Sequence, residues 1–229
     1  MSIFDGLKIP KIIYETDSKL NGHIRVVEVG QTRKIIVSNI IQSISPNSPS
    51  VSKLVWGQMV DSLKKRAPDM KKVMILGLGG GTIAQLISRY FPGVEIVSVE
   101  WDPVMVDIAK NYFNLGAISN HKVILDNALK VAVEPEQYEI APASFDVLIV
   151  DIFTGGDYPD LGKTGNFFSA IKTLIAPSGL VVFDRIYTED YQEDVNLFIE
   201  RLNEFFEDID SEVVPGYTNS DNILIFGRV

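Results

Sequence analysis

The chain has 229 residues, 46% hydrophobic, with no cysteine, two histidines and a net charge of −9. That length buries a sizeable core, while the missing cysteine excludes disulfides, thiolate nucleophiles and cysteine-held metals, and His23 and His121 alone exclude a histidine-rich metal centre. The acidic balance argues against nucleic acid, no apolar run approaches the roughly 20 residues of a membrane span, and MSIFDGLKIP lacks the features of a secretory signal, so a cytoplasmic protein with no metal is expected.

In chain order, Ile12–Gln42 alternates and carries turn residues, with strands at His23–Val29 and Thr32–Ser38 joined at Gly30-Gln31 as a β-hairpin. A polar Pro/Ser loop, Ser43–Ser52, leads to a helix over Val51–Lys65 with Leu54, Val55, Met59 and Leu63 on one side, broken by Pro68. This composition suggests a small N-terminal hairpin region, 1–50, and a larger domain, 51–229.

Val73 to Glu100, VMILGLGGGTIAQLISRYFPGVEIVSVE, is the most informative stretch. Val73–Leu76 is a continuous apolar run, as expected of a strand buried on both faces. Gly77, Gly79 and Gly81 permit a tight turn and close approach of a ligand, and Thr82 is a candidate cap for the helix that follows. The next strand, Glu95–Val99, ends at Glu100, nineteen residues after Gly81, where an acid can accept from both hydroxyls of a ribose. The unit therefore reads as a nucleoside site. Its G-x-G-x-G spacing lacks the last glycine of a dinucleotide fingerprint and no Lys-Ser/Thr pair makes a P-loop. It looks like motif I of the S-adenosylmethionine-dependent transferases.

Alternation then continues. A helix is expected over Pro103–Phe113, a strand over Lys122–Leu125, a short helix over Asn127–Val133 and an apolar strand over Phe145–Val150. Thr164–Ile175 reads as helix, Gly179–Asp184 as strand, and Glu189–Phe206 as a helix with Val195, Phe198, Ile199, Leu202 and Phe206 inward. Closing strands lie near Glu212–Val214 and Asn222–Phe226. The pattern predicts an α/β fold with a doubly wound, mostly parallel seven-stranded Rossmann-like sheet of class I methyltransferase type, the last two strands forming an antiparallel edge.

Ligands of such sheets bind at the carboxyl ends of the strands, and each early strand end carries an acid or the glycine turn. Asp126, followed by Asn127, suits an adenine amino group and equally suits a helix N-cap. Asp151, at the end of LIVD and before the glycine-rich IFTGGDYP, suits a general base or a holder of a cationic acceptor, with a turn-forming Asp as the plainer reading. Phe153, Tyr158 and Pro159 are placed to close over it as a lid.

Together VMILGLGGGT, VSVEWDPVMVDIAKNYF, ILDNA, FDVLIVDIF and the helix–APSGLVV pattern resemble the spermidine synthase (polyamine aminopropyltransferase) family over nearly the whole chain, including a leading β-hairpin region with Ile41-Gln42. The resemblance is to a divergent branch, with D-x-F-x-G-G/D-x-x-P where the synthases have D-x-x-D. It implies S-adenosylmethionine or its decarboxylated form as donor, held by Gly77, Gly79, Glu100, Asp126 and Asn127, with Asp151 as the acid that takes the amine proton. It also implies a small-molecule acceptor, a cationic amine, and a homodimer.

The polyamine-gripping positions depart from the family. Gly80 stands where the glycine turn of the synthases has Asp, Thr154 replaces the second Asp of D-x-x-D, Trp56-Gly57-Gln58 replaces Tyr-His-Glu, and the donor-contacting Gln is replaced near Asn21-Gly22. Burying an unpaired ammonium costs several kcal/mol, so a diamine should be gripped poorly unless Asp157, on the same loop as Tyr158 and Pro159, compensates. Three readings stay open: an aminopropyltransferase-like enzyme, a methyltransferase with a non-polyamine acceptor, and a non-catalytic nucleoside-binding protein.

Overall fold

The computed structural model describes residues 9–153, 158–159, 164–188, 191–216 and 221–229. Thr154 and Asp157 lie outside the described residues, as does the expected start of a helix at Glu189.

The expected hairpin is the middle of a larger unit. Strands β1 (Lys11–Ser18), β2 (Gly22–Val29), β3 (Thr32–Val37) and β4 (Ile40–Ile44) form a four-stranded antiparallel sheet in chain order. Its two added strands attach through tight turns, with Gly22 at φ 66° after β1 and Ser38-Asn39 at φ 48° and 67° after β3. Ser43 and Ile44 are therefore strand, where a loop is expected from the Pro/Ser composition. Ile24, Val26, Ile35 and Val37 on one face pack against Met105, Ile108 and Phe113.

The second sheet has seven strands in the order β10-β11-β9-β8-β5-β6-β7. Here β5 is Lys72–Leu76, β6 Glu95–Glu100, β7 His121–Leu125, β8 Phe145–Val150, β9 Ile175–Ile186, β10 Glu207–Val214 and β11 Asn222–Arg228. The strands from β7 to β9 run parallel; β11 and β10 add antiparallel at the edge. Six α-helices are described: α1 (Val55–Arg66), α2 (Thr82–Tyr90), α3 (Pro103–Tyr112), α4 (Ala128–Val133), α5 (Gly165–Leu174) and α6 (Gln192–Leu202). Among the described residues no helix is long and apolar enough to cross a membrane.

The apolar runs of the sheet are explained by helices on both faces. Met74, Leu76, Leu148 and Val150 pack with α4, α5 and α6, while Val73, Ile75, Val147 and Ile149 pack with α1 and α2. Period-two alternation within a wholly apolar strand thus feeds two cores. Strand β5 connects onward to β6 on one side, whereas the chain returns to β8 on its other side. A crevice opens at such a reversal, and the glycine turn and Asp151 both emerge there.

Candidate active site

Gly77 sets the relation between the two strand ends. Its N–H donates to the Val99 carbonyl at 2.9 Å, while the Asp151 N–H donates to the Leu76 carbonyl at 2.8 Å. Gly77 has φ +99°, and a Cβ there would lie 2.0 Å from the Asp151 carbonyl oxygen. Only glycine permits this approach. Gly80 is restricted for another reason: a Cβ would sit 2.9 Å from Ser43 Oγ and 3.0 Å from a Phe113 ring carbon. An acidic side chain has no room at that position unless both neighbours move.

Helix α2 begins differently from the sequence expectation. Its N-cap is Gly81, in the left-handed region at φ 75°, and no side chain caps it. Thr82 is already helical, and its hydroxyl donates to the Ile44 carbonyl and meets Ser43 Oγ, both at 2.6 Å. Thr82 therefore ties β4 to the glycine turn rather than capping the helix. Asp126 likewise caps nothing; Asn127 is the N-cap of α4, accepting from Leu129 N at 2.9 Å.

Glu100 links the turn to its own strand end. Leu78 N–H donates to one carboxylate oxygen at 3.2 Å, and the N–H groups of Trp101 and Asp102 donate to the other at 2.8 and 2.9 Å. Removal from water pushes its pKa up, against the pull of these donors. Asp102 caps α3 and accepts from Ser18 Oγ and from Asn21 Nδ2, the latter at 2.6 Å. The first turn of the N-terminal sheet is thereby fastened beside Glu100. Asp126 accepts from Lys130 Nζ at 2.8 Å, Tyr138 OH at 2.7 Å and Asn127 N at 2.8 Å. These partners hold its carboxyl down to about 2.

These groups line one cavity of about 750 Å³, within the range usual for small-molecule sites. One wall includes Gly77, Gly79, Glu100, Trp101, Asp126 and Asn127; the opposite wall includes Asp151, Phe153, Asp184, Ile186, Tyr191 and Asn222. Gly81, Tyr158 and Pro159 are not among the lining residues. Tyr158 instead packs edge-on to Phe153 and Phe198 at 5.8 and 6.1 Å between centroids, and its buried hydroxyl has no hydrogen-bond partner among the described residues. Trp56 and Asn21, at two of the divergent positions, line the cavity as well.

Asp151 is joined by a residue that the strand-end reading overlooks. Its side chain shares a hydrogen bond with Asp184, which is 2% exposed and accepts from Asn222 Nδ2 at 2.8 Å. Burial raises the Asp151 pKa to about 6, opposed by the Asp184 hydrogen bond and reinforced by the charge of Glu100. Burial, and then the neighbouring Asp151, raise Asp184 well above the usual carboxylate range. The available signal was the Asp-Arg pair inside the apolar GLVVFDRI. Period-two alternation turns Asp184 into the cavity and Arg185 to the other face, between the rings of Tyr158 and Phe198 at 4.3 and 4.1 Å.

Residues 55–227 match the spermine/spermidine synthase domain. The chain belongs to the spermine/spermidine synthase family. Curated family relatives include a polyamine aminopropyltransferase of Chromobacterium violaceum, 26% identical over 84% of this chain and 69% of that protein. An eEF1A lysine and N-terminal methyltransferase homolog of Drosophila pseudoobscura pseudoobscura is 28% identical over 58% of this chain but only 20% of its own length. Among solved structures, a spermidine synthase in complex with the transition state analogue AdoDATO superposes with a TM-score of 0.73 at 17% identity, covering 95% of this chain and 72% of that one. The fold is therefore shared at low identity, and both aminopropyl- and methyltransferases stand among the relatives.

Proposed function

We propose that the protein binds S-adenosylmethionine or its decarboxylated form and transfers an alkyl group, aminopropyl or methyl, to the nitrogen of a small amine. The observation that carries this reading is the shared cavity lined by the glycine turn, Glu100 and Asp151. Glu100 would take the ribose hydroxyls and Asp126 with Asn127 the adenine. Such a donor supplies an electrophilic carbon beside a sulfonium. The chain's part is to hold the two reactants in line, exclude water, and accept the amine proton at Asp151. Family membership and the two kinds of relative support transfer chemistry of this class.

In this reading residues 1–50 are a small leading region and 51–229 the catalytic domain, working as a cytoplasmic homodimer. The absence of room at Gly80 favours an acceptor other than a diamine gripped in the synthase manner. The test is incubation with each donor and a panel of primary amines, followed by mass spectrometry. An amine gaining methyl or aminopropyl, with release of the matching thioether nucleoside, is expected. A donor that binds yet stays intact with every amine would overturn the reading in favour of a non-catalytic nucleoside-binding protein.

A further inference from the structure

Strands β8 and β9 pair in parallel with Val150 opposite Phe183, both packed into the same core. One residue further along each strand, Asp151 and Asp184 therefore stand side by side on the opposite, cavity-facing side. Across the next strand Leu224 pairs with Asp184 and Asn222 with Ile186, which brings the Asn222 amide onto Asp184 Oδ1 at 2.8 Å. Two carboxyl groups in hydrogen-bond contact cannot both be ionised, because one must supply the proton between them. The proton belongs on Asp184, which is the more deeply buried, and burial with the charge of Asp151 outweighs the Asn222 amide, whose hydrogen bond favours the ionised form.

We propose that Asp184 is a positioning residue for transfer: its carboxylic acid donates a hydrogen bond to the Asp151 carboxylate and aims that carboxylate at the acceptor nitrogen. The inference rests on the transfer reading given above. Without such a donor, Asp151 would sit near the charge of Glu100 in a site withdrawn from water and would take up a proton, losing its use as a base. Among the described residues, the groups whose charge or hydrogen bond reaches the pair are Glu100 from β6, Tyr158 from the segment after β8, and Asn222 from β11. Arg185 lies on the far face, where it reaches Asp194 and the two aromatic rings, and neutralises neither acid directly. In the step served, the acceptor nitrogen bonds to the carbon beside the sulfonium as that carbon–sulfur bond breaks. The electron pair goes to sulfur, giving a neutral thioether, and the proton shed by the nitrogen goes to Asp151. Asp184 keeps its own proton throughout.

The experiment is a carboxyl carbon NMR titration of the ligand-free protein with labelled aspartate, in wild type, Asp184→Asn and Asp184→Ala. In wild type, Asp184 should still be protonated at pH 7.5 while Asp151 is ionised. Asp184→Asn keeps a donor on Asp151 and should leave its midpoint at or below the wild-type value. Asp184→Ala removes the donor and should raise that midpoint by about one to two pH units, the equivalent of a hydrogen bond to a charged group. The acid limb of the transfer rate should move with it and be restored in the Asn variant. A midpoint that falls or stays in Asp184→Ala, or an ionised Asp184 in wild type, would overturn the proposal; the wild-type titration decides even where the Ala variant fails to fold. Nucleoside binding, measured separately by calorimetry, tests the transfer reading without touching these titrations.

Discussion

The two walls of the cavity are built in opposite ways. On the wall read as the donor side, the acids at the ends of β6 and β7 are each fastened by several donors, Glu100 by the N–H groups of Leu78, Trp101 and Asp102 and Asp126 by Asn127 N, Lys130 Nζ and Tyr138 OH. On the acceptor side, carboxyl groups from β8 and β9 lean on each other and on an amide from β11. The first arrangement is rigid and holds its acids ready to accept; the second is electrostatically loaded and holds one acid neutral. In the proposed transfer, the first wall would hold the donor and the second would take the proton.

The largest separation between the walls should come from Asp151→Asn. Transfer should be lost while nucleoside affinity stays within about twofold, since the carboxylate serves the nucleophile. The same variant should be more stable at neutral pH, by about 2 kcal/mol, because the fold opposes ionisation of this group. The sign follows from its raised pKa: the stability is fully present below the unfolded value near 4 and declines as pH rises through about 6. Thermal melts of wild type and variant from pH 4 to 7.5 should therefore diverge as pH rises; parallel curves would show that Asp151 is not burdened in this way.

Next in size is Gly77→Ala, which attacks the junction of the two walls. A Cβ 2.0 Å from the Asp151 carbonyl must separate β5 from β8, and denaturant unfolding should show a loss of about 2–4 kcal/mol. Glu100→Ala should weaken nucleoside binding by roughly 1.5–3 kcal/mol without moving the Asp151 titration by as much. Unchanged affinity in that variant would remove Glu100 from the donor site. The smallest effect is expected at Lys130→Met. It frees the Asp126 carboxyl, whose titration should rise from about 2 toward the usual range, with less than about threefold change in nucleoside affinity.

The same contrast decides what was readable from sequence. The glycine turn, Glu100 and the apolar β5 and β8 announce themselves because their signals are local: spacing within one βαβ unit and unbroken apolar runs. Asp184 does not, since its role depends on the register of β8 with β9 and of β9 with β11. Thr82 next to a glycine turn has the look of a cap, and only the approach of Ile44 shows that its hydroxyl is spent on another strand. Likewise β1 and β4 were hidden because their exposed apolar residues, Ile12, Ile40 and Ile41, blur the alternation that marks a half-buried strand.

The most direct measurement is calorimetric titration of the wild-type protein and Asp151→Asn with S-adenosylmethionine, its decarboxylated form and methylthioadenosine. Saturable one-site binding of at least one nucleoside, with nearly equal affinity in both proteins, is the expected result. No binding of any of the three to the wild-type protein would contradict the assignment of the glycine turn and Glu100 as a nucleoside site, and with it the division of the cavity into a donor wall and an acceptor wall.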